Sequence, residues 1–89
     1  MAVRRRVVVH GRVQGVFFRD SCERMARSAG VSGWVRNRND GAVEAVFEGE
    51  RAAVDRMVAW ARQGPRRADV EDVEVFDEEP VGESGFRVR

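Results

Sequence analysis

The chain contains no lysine, a single cysteine and no apolar run approaching ~18 residues, and each shortage closes off a class of protein. Without lysine there is no GxxxxGK[ST] nucleotide loop. Without a second thiol there is no intrachain disulfide, so Cys22 points to a reducing cytosol and a cytoplasmic protein is expected. The absence of a long apolar run argues against a membrane partner. The basic start, Met1 to Arg6, leads into only three valines, less than the apolar core of a signal peptide. Histidine, cysteine and paired carboxylates nowhere recur at metal-ligand spacing, so no metal and no cofactor are expected.

What is present suits a soluble globular chain, and one domain spanning 1–89 is expected. Apolar residues make up 43% and the net charge is +1, but the charge is unevenly spread. Residues 1–67 carry fourteen arginines against seven acids, whereas residues 68–89 carry two against eight. That asymmetry favours an anionic ligand and says little about nucleic acid.

The stretch from Gly11 to Asp20 organises the rest. An apolar strand runs into it, a helix-period pattern runs out of it, and two glycines and Arg19 stand at the join. A turn entering a helix can aim unpaired backbone N–H groups at an anion, and the helix dipole adds positive potential. Gly15 would supply backbone geometry closed to other residues, and Arg19 a planar fork of donors matched to phosphate. On the glycines alone, the stretch reads equally well as a tight strand-to-helix connection.

Val3 to His10, with three consecutive valines, reads as a central strand. No acidic partner is patterned near His10, which suggests a structural or solvated side chain. Phe18, Cys22, Met25, Ala26 and Ala29 then recur at helical spacing as an apolar stripe ended by Gly30. Phe17 and Phe18 read as core, or as a wall beside the site. Val31 to Arg38 and Ala42 to Glu48 are two strands joined by the turn signal Asn39-Asp40-Gly41. On the first of these, Asn37 continues a face set by Val31, Gly33 and Val35, an amide on an apolar face that would suit a strand cap or a site. Glu50 to Gln63 is a second helix with acid at its start and Gly64-Pro65 at its stop. Val70 to Phe76 alternates as a strand, Asp77 to Pro80 reads as an acidic turn, and Gly85 to Val88 can add a short terminal strand.

The order β-α-β-β-α-β predicts an α+β fold, the ferredoxin-like split β-α-β sandwich. Right-handed crossover then gives an antiparallel sheet of order 4-1-3-2 with two helices on one face. The first two strands point the same way, so the glycine loop and Asn37 emerge at the same end, separated by roughly 10 Å of intervening strand.

These blocks resemble the acylphosphatase family. Gly11-Arg12-Val13-Gln14-Gly15-Val16-Phe17-Phe18-Arg19 is similar to its G-x-V-Q-G-V-x-F-R signature. Gly33-Trp34-Val35-Arg36-Asn37 with Asp40-Gly41-Ala42-Val43-Glu44 is similar to its G-x-V-x-N and D-G-x-V-E block. The likeness continues through Gly64-Pro65 and Gly85 to Val88 and so covers nearly the whole chain; Arg89 stands where many members have an aromatic residue. The resemblance implies hydrolysis of small acyl phosphates without a metal, with Arg19 and Asn37 as the catalytic pair. The N–H groups of Gly15, Val16, Phe17, Phe18 and Arg19 would then hold the substrate phosphate, such a cradle would take inorganic phosphate or sulfate as competing anions, and a monomer is expected. A carboxylate leaving group needs no general acid, consistent with the lack of a patterned acid–base pair.

Two alternatives belong to other classes. Ferredoxin-like sheets also serve as nucleic-acid- or effector-binding modules, but the middle strands carry no aromatic RNP pattern, so no nucleic-acid partner is expected. An acylphosphatase-like domain within a larger carbamoyl-transfer protein would bring further domains and zinc fingers.

Overall fold

A computed structural model describes residues 1–89. Its elements run β1 (Ala2–Arg12), α1 (Phe18–Ala29), β2 (Ser32–Asn37), β3 (Val43–Glu50), α2 (Arg51–Gln63), β4 (Asp69–Glu78) and β5 (Phe86–Val88). The sheet order is β4-β1-β3-β2-β5, so the expected 4-1-3-2 arrangement is present and extended by one strand. The four long strands pair antiparallel as expected, and the added terminal strand β5, whose direction the sequence left open, pairs parallel to β2. The reason is connective. Residues 79–85 cross from the β4 edge to the β2 edge at the end of the sheet where β4 finishes, and the returning strand must point the way β2 points.

With no leucine or isoleucine in the chain, valine carries the core, which suits a pleated sheet better than a bundle. Val7, Val9, Val35, Val43, Ala45 and Phe47 line the helix-covered face. Against them pack Phe18, Cys22 and Ala26 of α1 and Val54, Met57, Val58 and Ala61 of α2. Met25 lies at the margin of its stripe and is 43% exposed, so it does not join the core as the helical spacing suggested. α1 ends in a Schellman-type cap, with Gly30 at φ 71° and Val31 donating to the Ala26 carbonyl at 2.9 Å. The acid expected at the start of α2 is Glu50 at its N-cap, whose side chain makes no capping bond.

The opposite face of the sheet is more ordered than its polarity implied. Glu44 and Glu48 are only 7% and 6% exposed. Arg6 and Arg36 hold Glu44, and Arg4 bridges Glu48, Glu78 and Glu83. Asp77 and Glu78 therefore belong to β4 and its ion pairs, not to a turn. The Glu48 carboxylate also accepts the N–H groups of Val81, Gly82 and Glu83 at 3.0, 2.8 and 2.9 Å, pinning the 79–85 crossing to the sheet.

Candidate functional site

β1 and β2 both run toward the end of the sheet where α1 begins, and the candidate site forms there. An open cleft of about 480 Å³ is lined by Val13, Gly15, Phe17, Phe18, Arg19, Asp20, Asn37 and Val88. Of the sequence-predicted site residues it thus brings together Gly15, Phe17, Phe18, Arg19 and Asn37; Val16 turns its side chain into the core instead. Val88 was not anticipated as a lining residue, and it reaches the cleft because β5 adds to the edge of β2.

The two glycines of the loop have different tasks. Gly15 has φ 74° with open space around its missing Cβ, so backbone conformation alone demands glycine there. Gly11 sits within β1 at a bulge against β4, where a Cβ would collide with the Asp69 carbonyl oxygen. It sets strand approach and is not part of the cleft.

Phe17 occupies the N-cap position of α1 in the left-handed conformation, φ 66° and ψ 26°, without a side-chain cap. The first bond of the helix runs from Ser21 N–H to the Phe17 carbonyl at 3.1 Å. The N–H groups of Gly15 through Asp20, ahead of it, donate to no acceptor in the protein. Such a row at a helix N-terminus is electropositive and geometrically suited to an anion. Arg19 stands on the same turn, exposed and without a carboxylate in ion-pair range, although seven other arginines hold acids.

Asn37 is the last residue of β2, half-buried, and its amide has no partner within the protein. Its placement depends on a residue to which the sequence reading gave no task. Gln14 donates its side-chain amide to the carbonyls of Arg38 at 2.7 Å and Ala42 at 3.0 Å, lashing the loop after β1 to the β2–β3 hairpin. Within that hairpin Asp40 accepts the Ala42 N–H at 3.1 Å and pairs with Arg38 at 2.8 Å. These contacts hold the Asp40 carboxyl below its usual range, the Ala42 N–H foremost.

Other reactive side chains stand apart. His10 pairs with Glu74 at 2.8 Å, a partner the sequence had not suggested, and does not line the cleft. Cys22 is fully buried; burial first, and Glu23 second, push its thiol well above the ordinary range, away from thiolate chemistry. No group of three or more His, Cys, Asp or Glu side chains is arranged to hold a metal ion.

The family model for acylphosphatase matches residues 5–88. The chain belongs to the acylphosphatase family. An acylphosphatase of Rubrobacter xylanophilus is 63% identical over 86 residues, which cover 94% of this chain and 77% of the relative. Among solved structures, an acylphosphatase from Coxiella burnetii superposes with a TM-score of 0.94 at 39% identity, covering 99% of this chain and 93% of that one. The acylphosphatase from Bacillus subtilis gives 0.93 at 34%, covering 100% and 99%. The activity is accordingly that of an acylphosphatase, a hydrolase, and the fold is the ferredoxin-like one with an added strand. No helix is long and apolar enough to cross a membrane.

Proposed function

We propose that residues 1–89 act as one acylphosphatase domain in which the phosphoryl group of a small acyl phosphate lies on the N–H groups of Gly15 to Arg19, gripped by the Arg19 guanidinium, while Asn37 orients the attacking water. One observation carries this reading: a row of backbone donors without acceptors adjoins an arginine without a carboxylate, in the same cleft as an unpartnered amide. The new bond forms between water oxygen and phosphorus as the bond from phosphorus to the carboxyl oxygen breaks. The products are a carboxylate and inorganic phosphate. Because the carboxylate is a weak base it leaves without a general acid, and the water's proton passes to the phosphate itself. The remaining work is positioning and charge stabilisation around a loose transition state.

The reading takes a monomer as the working unit, and a reducing cytosol suits its lone thiol. The helix-free sheet face speaks against RNA binding, because its arginines Arg4, Arg6 and Arg36 are taken up in ion pairs with Glu44, Glu48, Glu78 and Glu83 and are not free for phosphates. Purified protein given acetyl phosphate in excess EDTA should release phosphate at an undiminished rate, with inorganic phosphate and sulfate as competitive inhibitors. Loss of turnover in EDTA with recovery on adding a divalent ion would refute the metal-free route, and non-competitive phosphate inhibition would refute the cradle.

A further inference from the structure

All nine glycines have positive φ, and Phe17 is the one other residue that does. A Cβ makes that conformation costly. Burial does not offset the cost, because Phe17 is 64% exposed. Its one backbone bond, accepting the Ser21 N–H, needs no particular side chain. Folding therefore accounts for the loop but not for a phenylalanine in it, and glycine at this position would relieve strain while removing an exposed ring.

The ring does, however, line the cleft. With the phosphoryl group on the backbone row and Arg19, and water delivered from Asn37, in-line displacement puts the leaving carboxylate on the side of phosphorus away from the water. The acyl substituent then extends out of the polar end. Of the apolar lining residues, Val13 and Phe18 are buried, whereas Phe17 and Val88 present accessible surface. The Arg67 guanidinium carbon lies 5.8 Å from the Phe17 ring centroid, over one face, and steadies the ring where the backbone has placed it.

We infer that Phe17 is the acyl-side wall of the cleft and gives the enzyme a preference for acyl phosphates whose acyl group is aromatic or otherwise broadly apolar. This rests on the phosphoryl placement proposed above. Covering about 40 Å² of apolar surface between substrate and ring corresponds to a preference on the order of fivefold.

The test compares kcat/KM for benzoyl phosphate and acetyl phosphate in the parent, Phe17→Leu and Phe17→Gly. Taking the benzoyl-to-acetyl ratio within each protein, and then across variants, cancels the intrinsic reactivities of the two substrates. The ratio should fall from parent to Phe17→Leu to Phe17→Gly, by about fivefold over the series, with the change carried by KM for benzoyl phosphate. A ratio that stays constant, or falls only through kcat, overturns the inference even when both substrates are still turned over. Failure of inorganic phosphate to compete in the parent itself instead overturns the phosphoryl placement, and this inference with it.

Discussion

Glu48→Ala is the perturbation that the helix-free face makes most informative. The carboxylate makes four bonds: one from Arg4 at 3.1 Å and three from the N–H groups of Val81, Gly82 and Glu83 at 2.8–3.0 Å. Alanine strands three backbone donors and strips one of three acids from Arg4, itself largely buried. Four charge-assisted bonds summed at face value would overstate the loss, since the freed loop can lift toward water. The cost of breaking a buried pair, about 3–5 kcal/mol, is the better guide. For a chain of this size that lowers the melting temperature by at least about 12 °C. Glu48→Gln keeps one acceptor oxygen but turns an NH2 toward backbone donors, and should lose roughly half as much. Urea unfolding at neutral pH measures both, with Glu23→Gln, half-buried on α1 and joined only to Arg27 one turn on, as a control expected within about 0.5 kcal/mol. A Glu48→Ala protein destabilised by less than about 1 kcal/mol would show that the crossing is held by something other than this carboxylate.

Gln14→Ala should release the loop from the hairpin, lowering kcat by an order of magnitude or so while moving the inhibition constant for phosphate less, because it disturbs the relation between cradle and Asn37 and not the cradle itself. Steady-state kinetics with phosphate as inhibitor separates the two. The pH dependence of stability follows from Glu48 and Glu78. Burial alone would raise the Glu48 carboxyl, but the Val81 and Glu83 N–H groups, Arg4 and the Gly82 N–H hold it below its ordinary value; Arg6, then Arg4, do the same for Glu78. Both have folded values below the unfolded one of about 4.3, so their stabilisation is present above that pH and is lost as the pH falls through the folded values. The urea midpoint should therefore drop on acidification below roughly pH 4.3, and less steeply in Glu48→Gln; a midpoint that rose with acid would contradict the sign.

The strand and helix order was legible because valine alternation, the Asn39-Asp40-Gly41 turn and the Gly30 and Gly64 stops are local signals that the packed fold did not overrule. Gly15, Arg19 and Asn37 stood out because a glycine, a cation and an amide each broke the pattern around them. Contacts between distant residues were not legible. Gln14 bridges to a hairpin over 20 residues away, Glu48 to a crossing over 30 away, and Val88 reaches the cleft only through the parallel addition of β5. The left-handed Phe17 was hidden because nothing about phenylalanine announces a conformation that normally calls for glycine.

The division of labour between Arg19 and Asn37 is tested most directly by measuring kcat and the inhibition constant for inorganic phosphate in Arg19→Ala, Asn37→Ala and Asn37→Asp. Arg19→Ala should weaken phosphate binding and nearly abolish turnover, and Arg19→Lys should restore little because a point charge cannot replace the planar fork. Asn37→Ala should bind phosphate almost as the parent does while its kcat falls by a factor on the order of 10²–10³. Asn37→Asp, which sets a negative charge beside the phosphate, should be as slow or slower. Parent-like activity in Asn37→Asp, or loss of phosphate binding in step with rate in Asn37→Ala, would contradict water positioning by Asn37.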